Sequence, residues 1–235
     1  MGDGVEMQNV SLTLGGHDFL FDCKLPAAAV IAVTGASGAG KSTFLNLLAG
    51  FDVPAQGGIF IAGMNVTREH PAKRPVSLVF QDNNLFAHLD VFTNVGLGVD
   101  PGMKLSQSDR LSITAALAKV GLAGFEGRMP ATLSGGERQR VAFARALVRK
   151  RPVLLLDEPF AALDPGLRNE MAALLLDMHK ETANTVIIVS HDPDEVRRIA
   201  DYAVFIDRGR IAVAAPIGSF LSHEGHPGLR QFLDN

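Results

Sequence analysis

An α/β fold around a mostly parallel sheet is expected from three features of the sequence. Val30-Ile31-Ala32-Val33, Val153-Leu154-Leu155-Leu156 and Val186-Ile187-Ile188-Val189 are short, unbroken and partly β-branched apolar runs, which suit strands covered on both faces. Helix-period patterns over residues 41–49, 137–148, 166–180 and 194–200 alternate with them. Each strand run stops at polar residues, Thr34-Gly35, Asp157-Glu158 and Ser190-His191, so hydrogen-bonding groups gather at the strand ends, the edge at which open α/β sheets take ligands.

The front of the chain, residues 5–25, and the segment 58–61 read instead as alternating or short strands with glycine-rich turns, which predicts a small antiparallel sheet beside the main one. Residues 85–133 carry a weaker, mostly helical signal broken by Gly96, Gly98, Pro101, Gly102, Gly121 and Gly124. A helical subdomain of about residues 85–135 within one domain, 1–235, is the expected organisation. Neither a linker nor a repeat divides the chain, and 235 residues suffice to bury one α/β core.

A net charge of −3 and a pI of about 6.2 give no basic field of the kind that proteins bound to phosphate backbones carry, so no nucleic-acid partner is expected. The mean hydropathy of +0.17 is high, yet no apolar run approaches the length of a bilayer span, so the excess is expected in a core or against a partner. Cys23 is the single cysteine, which excludes an internal disulfide, and Met1-Gly2-Asp3-Gly4 lacks the basic-then-apolar layout of a signal peptide. A place in the reducing cytoplasm follows as an expectation.

Gly35-Ala36-Ser37-Gly38-Ala39-Gly40-Lys41-Ser42-Thr43 follows a buried strand and opens a helix, the context that makes G-x-x-x-x-G-K-[ST] a phosphate-binding P-loop. Its glycines let backbone N–H groups turn toward phosphate oxygens, and the helix N-terminus adds partial positive charge. Lys41 is placed to reach the β- and γ-phosphates, and the Ser42 hydroxyl to ligate Mg²⁺. Asp157, at the end of its strand, would hold Mg²⁺ with Ser42, directly or through water. Glu158 would face the γ-phosphate and polarise the attacking water. A plain strand end before a turn also explains Asp-Glu-Pro taken alone.

Ser134 and Glu137 have the spacing of a capping box at the start of a helix. A cap does not explain Gly135 and Gly136 in the first turn, whereas close backbone approach to an anion does.

The order of residues 35–43, Gln81, residues 133–140, residues 154–159, Ala162-Leu163-Asp164 and His191 resembles the ATP-binding-cassette ATPases over nearly the whole chain. The resemblance implies a P-loop NTPase fold with a small antiparallel β-subdomain and a helical subdomain, and ATP and Mg²⁺ as cofactors. It implies a homodimer in which each ATP lies between the P-loop of one copy and Ser134, Gly135 and Gly136 of the other. Gln81 matches a glutamine that senses Mg²⁺ and the membrane partner, Asp164 a loop that touches the opposite copy, and His191 a histidine that contacts the γ-phosphate. Catalysis would then rest on Glu158, His191, Gln81 and Lys41, with Ser42, Gln81 and Asp157 at the metal. Two departures stand out: Glu137 occupies a position where the family mostly has Gln, and Leu14 falls where an adenine-stacking aromatic is usual, with Phe19 and Phe21 the nearby aromatics.

Residues 74–77, 80–89, 96–98 and 101–105 look like the corresponding stretches of ATPase subunits from bacterial thiamine importers. That resemblance implies energised uptake of a small solute, thiamine or its phosphates. Membrane permease subunits and a periplasmic or extracellular solute-binding protein are the implied partners, and the cytoplasmic face of the inner membrane the implied location. Another solute, such as a polyamine or a metal ion, or a non-transport ATPase of the same family, is the alternative. The arginines at 138, 140, 145 and 149 and the pair Lys150-Arg151 read as a solvated helix face.

Overall fold

The computed structural model describes residues 3–82, 84–161 and 163–234. Asn83 and Ala162, which belong to stretches singled out above, lie outside the described residues, as do Met1, Gly2 and Asn235.

Two compact units share the chain: the first holds the chain up to Val76, Pro152–Glu158 and everything from Thr182 onward, and the second holds Ser77–Arg151 and Pro159–Glu181. The first unit contains β1 (Asp3–Leu14), β2 (His17–Pro26), β3 (Val30–Thr34), α1 (Lys41–Ala49), β4 (Gln56–Ile61) and β5 (Met64–Asn65). Strand β6 (Val76–Val79) leads the chain into the second unit, which contributes α2 (Val91–Gly96), α3 (Gln107–Lys119) and α4 (Gly135–Val148). Strand β7 (Val153–Asp157) returns to the first unit, α5 (Pro165–Thr182) to the second. The first unit then finishes with β8 (Thr185–Val189), α6 (Pro193–Ile199), β9 (Tyr202–Asp207), β10 (Arg210–Pro216), α7 (Ile217–Leu221) and α8 (Pro227–Leu233).

In the first unit the strands lie in the order β5-β4-β1-β2-β10-β9-β3-β8-β7. The runs expected to be buried strands pair in parallel, Val30 with Val186 and Leu155 with Ile187, and every residue of β3 and β8 is buried. The antiparallel strands do form, β1 pairing with both β2 and β4. They continue the parallel sheet instead of standing apart from it, because β10 runs antiparallel to β9 and meets β2 at Arg210 opposite Leu20. Gly15 and Gly16, with φ of 59° and 80°, make the two-residue turn between β1 and β2 that the strand twist favours. Below the sheet, α1 buries Phe44, Leu45, Leu47 and Leu48, and Phe21 meets Phe44 edge-on at 5.3 Å.

One charged side chain is fully enclosed in the first unit. Arg74 has no exposed surface. Its guanidinium donates to the carbonyls of Leu47 and Leu48, orphan acceptors in the last turn of α1, and to those of Thr67 (3.2 Å) and Glu69 (3.0 Å). Burial pushes its pKa below the ordinary guanidinium value, Glu69 acting against the shift, and the cation lies where the helix dipole favours it. Gly50 ends α1 with φ 88°, and a Cβ there would lie 2.5 Å from Arg74 Nε, so only glycine fits.

The second unit is mostly helical. Asp90 caps α2 through the Thr93 N–H, and Ser106 with Asp109 forms a capping box on α3. Asn94, fully buried on α2, accepts from the Phe86 N–H and donates to the carbonyls of Phe86, Leu89 and Asp90, which fixes the loop before the helix. A Cβ at Gly98 would lie 2.5 Å from the Arg145 carbonyl, so the end of α2 approaches α4 at backbone distance.

Candidate functional site

The P-loop joins β3 to α1 and is walled from within the first unit. A Cβ at Gly35 (φ 147°) would lie 2.2 Å from the Ile206 carbonyl of β9, and one at Gly40 (φ 113°) 2.8 Å from the Phe19 ring. At Gly38 (φ 75°) a Cβ would meet nothing within 4 Å, so this side of the loop is open. The turn between β9 and β10 supplies the back support. The Gly209 N–H donates to the Ala39 carbonyl at 2.9 Å, and the Gly209 carbonyl accepts from the Leu20 N–H at 2.8 Å. One residue, far along the chain, thereby ties the loop to β2.

Lys41 is buried at the start of α1, and its Nζ donates to the carbonyls of Gly35 (2.8 Å) and Ala36 (2.9 Å). Burial lowers its pKa, while the carboxylates of Glu158 and Asp157 oppose the shift. Asp157, half-buried at the end of β7, has its pKa raised by burial and then by the neighbouring charge of Glu158, with Lys41 acting the other way. Ser42 is exposed and Thr43 buried.

Glu158 holds φ 44°, a left-handed conformation that costs a non-glycine residue about 1–3 kcal/mol and persists where neighbours enforce it. The Glu158 N–H donates to the Val189 carbonyl, and Glu158 Oε2 lies 3.4 Å from His191 Nδ1. His191 is the more exposed partner, 62% against 26% for Glu158. Ser190 before it is buried, donating its N–H to the Val33 carbonyl and its Oγ to Glu195. Asp192 accepts from the N–H groups of Asp194 and Glu195, the helix-start role its position suggests. Lys41, Asp157, Glu158 and His191 therefore gather at the ends of β3, β7 and β8 within one unit.

Gln81, Ser134, Gly135 and Gly136 belong to the second unit. Gln81 is exposed in the turn after β6. Ser134 and Glu137 form the expected capping box on α4: the Ser134 hydroxyl accepts from the Glu137 N–H, and Glu137 Oε2 accepts from the Ser134 N–H at 2.7 Å. That hydrogen bond holds the Glu137 carboxyl below the usual carboxylate range. Gly136 has a packing reason of its own, since a Cβ there would lie 2.2 Å from Leu167 of α5, whereas Gly135 has Arg138 Nη2 at 4.0 Å as its nearest neighbour. Asp164 Oδ1 accepts from the Leu167 N–H at the start of α5. Phe19 and Phe21 are buried in the first unit while Leu14 is exposed at the tip of its hairpin, so the two aromatics offer no open ring face to a base.

A groove of about 430 Å³ opens in the second unit among Leu85, Phe86, Leu97, Pro101, Arg145 and Arg149. Among the described residues no helix is long and apolar enough to cross a membrane, and no group of three acidic, histidine or cysteine side chains is arranged to hold a metal. The donors at the P-loop fit Mg²⁺ held jointly with phosphate: the hydroxyl of Ser42 is exposed, and Asp157 ends β7, separated from β3 by β8 yet near enough for its charge to act on Lys41.

Residues 21–161 match the family described as ABC transporter, from within β2 through the P-loop and the capped helix to the turn after β7. The chain belongs to the ABC transporter family. A family described as AAA domain, putative AbiEii toxin, Type IV TA system, matches the shorter stretch 127–197. The thiamine import ATP-binding protein ThiQ of Rhizobium meliloti is 53% identical over 99% of this chain and 95% of its own length. The protein of the same name from Jannaschia sp. is 43% identical over 97% of this chain and 100% of its own. Among solved structures, cbiO1 from Clostridium perfringens, described as part of the ABC transporter complex cbiONQ, is 28% identical, with a TM-score of 0.85 over 95% of this chain and 92% of that one. The ATP-binding cassette MJ0796, solved as a dimer in a post-hydrolysis state with ADP and Pi, is 28% identical with a TM-score of 0.77, covering 91% of this chain and 98% of its own. As an ABC ATPase this chain binds adenine nucleotide and hydrolyses ATP in a transporter, and its fold is the α/β P-loop architecture that the sequence predicts.

Proposed function

We propose that this ABC ATPase powers the uptake of thiamine or its phosphates. The observation that carries the solute is the 53% identity to a thiamine import ATP-binding protein, which runs over 99% of the chain and so includes the second unit as well as the nucleotide motifs. In this reading two copies face one another, as the dimeric relative with ADP and Pi suggests, and each nucleotide lies between the P-loop of one copy and Ser134, Gly135 and Gly136 of the other. The helical subdomain of about residues 85–135 forms one part of the groove that docks a membrane permease, and residues on either side of it, Ser77, Leu78, Phe80, Asn84, Arg145 and Arg149, form the rest. The ATPase then sits peripherally on the cytoplasmic face of the inner membrane, and a solute-binding protein delivers cargo on the other side.

Gly35, Ala36, Ser37, Gly38, Ala39, Gly40 and Thr43 hold the phosphates through the loop and its helix. Lys41 exchanges its two loop carbonyls for β- and γ-phosphate oxygens, stronger partners for an ammonium in a dry site. Ser42, Asp157 and Gln81 would hold Mg²⁺, which neutralises charge developing on the phosphates. Glu158 orients the attacking water and takes its proton, and His191, 3.4 Å away, steadies that carboxylate and reaches the γ-phosphate. Phosphoryl transfer asks mostly for such positioning.

The test is thiamine uptake in a strain lacking this chain, complemented with the parent or with Glu158→Gln. The parent restores uptake, and Glu158→Gln retains ATP binding and accumulates an ATP-bound dimer while its hydrolysis falls by at least about 10²-fold. Restored uptake of a polyamine or metal ion with thiamine unaffected refutes the solute. Parent-like turnover in Glu158→Gln refutes the base.

A further inference from the structure

We propose that Glu195, enclosed at the start of α6, is a positioning residue for ATP hydrolysis: through the Ser190 hydroxyl it sets the backbone of residues 190–192 and so aims His191. This rests on the reading above that His191 reaches the γ-phosphate, and assigns what holds the histidine there.

The anchor of His191 lies outside its own ring. The side chain is 62% exposed, so little packing fixes it, and its 3.4 Å approach to Glu158 Oε2 depends on where the backbone places it. Ser190, just before it, is buried, and the Ser190 N–H donates to the Val33 carbonyl, which fixes the end of β8. Ser190 Oγ donates to Glu195 Oε2 at 2.9 Å and accepts from the Asp192 N–H at 3.1 Å. One hydroxyl thereby closes a tight turn around His191, and the Glu195 carboxyl is its far support.

The polarity of these bonds gives a reason for an acid at position 195. A hydroxyl has one hydrogen to give. Committed to Glu195, it leaves the oxygen lone pairs for the Asp192 N–H. An alternative acceptor is the Asp192 carbonyl, 3.5 Å from Ser190 Oγ, and a hydroxyl turned that way no longer ties the loop to α6. Service to the helix start does not account for Glu195. Asp192 already accepts from the N–H groups of Asp194 and Glu195, and the exposed Asp194 adds charge at that end while pairing with Arg197 at 2.8 Å. Glu195 is instead 6% exposed, and enclosing a carboxyl is costly unless a hydrogen-bond partner meets it.

Steady-state hydrolysis by the purified chain, measured against ATP concentration, tests the assignment. Glu195→Ala should lower kcat about 10- to 100-fold, the cost of a misplaced catalytic group, while KM for ATP stays within about twofold of the parent. Glu195→Gln, whose amide oxygen can still accept from Ser190, should keep kcat within about threefold, and Ser190→Ala should match Glu195→Ala. In a His191→Ala background Glu195→Ala should cost nothing further, because a residue acting through the histidine has nothing left to aim. The assignment is wrong if Glu195→Ala slows His191→Ala as much as it slows the parent, or if Glu195→Gln is as slow as Glu195→Ala. A slow His191→Ala beside a parent-like Glu195→Ala removes this inference alone, whereas a His191→Ala that turns over like the parent removes the reading of the histidine as well. Should Glu195→Ala melt far below the parent, Ser190→Ala, which loses a single hydroxyl, carries the same comparison.

Discussion

Replacing Arg74 by methionine tests the idea that one enclosed cation holds the C-terminal end of the P-loop helix. The substitution keeps much of the side-chain volume and removes the donors that meet the carbonyls of Leu47, Leu48, Thr67 and Glu69. Each buried acceptor left without a partner costs about 1–3 kcal/mol, and relief of the buried charge offsets part of the sum. A net loss of about 3–5 kcal/mol is expected, the range for breaking buried polar networks. At roughly 2–4 °C per kcal/mol for a chain of this size, the melting temperature should fall by about 6–20 °C. Arg74→Lys, which keeps the charge but reaches fewer carbonyls, should fall between the two, about 2 kcal/mol below the parent. Urea unfolding followed by circular dichroism reads both. If Arg74→Met lies within about 1 kcal/mol of the parent, the carbonyls are satisfied some other way and the reasoning fails.

Asp157→Asn should raise the melting temperature of the nucleotide-free protein at pH 7 while impairing hydrolysis. The folded state raises the pKa of Asp157, so its contribution to stability is complete below the unfolded value of about 3.9 and is lost as pH rises through the folded one. The gain in the variant should therefore vanish as pH drops toward 4, and a variant melting no higher than the parent at pH 7 contradicts the shift. Gly209→Ala puts a Cβ 2.4 Å from the Asp18 carbonyl at φ 75°, a strain of about 1–3 kcal/mol, and should weaken ATP binding in equilibrium titration because Ala39 loses its brace. Parent-like affinity would make that turn a bystander. Glu137→Gln should leave the melting temperature nearly unchanged, because an amide oxygen can still accept from the Ser134 N–H, whereas Glu137→Ala should cost about 0.5–2 kcal/mol.

The parallel centre of the sheet is legible because its strands are continuous apolar runs, and β9 carries the same signal in Tyr202-Ala203-Val204-Phe205-Ile206. Local motifs were legible as well: α1 occupies the predicted residues, and the capping box on α4 forms as its spacing demands. Contacts between distant segments were hidden. Nothing local marks Arg74 as a helix cap, Gly209 as a brace for Ala39, or Asn94 as the anchor of the loop before α2. Gly136 looked like a residue reserved for an anion, and its approach to Leu167 became visible only once α4 and α5 were in place. Likewise Phe19 and Phe21 lie beside Gly40 of the P-loop because that glycine leaves room for a ring, a relation across about 20 residues that no periodicity reports.

The bond from Gly209 to Ala39 has a temporal side. During synthesis the ribosome releases the glycine-rich motif early, but the turn that backs it emerges some 170 residues later, along with the β9 carbonyl at Ile206 that confines Gly35. A nascent or prematurely terminated product ending before β9 thus carries an intact phosphate motif with nothing behind it. Competence to hold ATP is therefore expected only once the β9–β10 turn has been made, long after the motif itself.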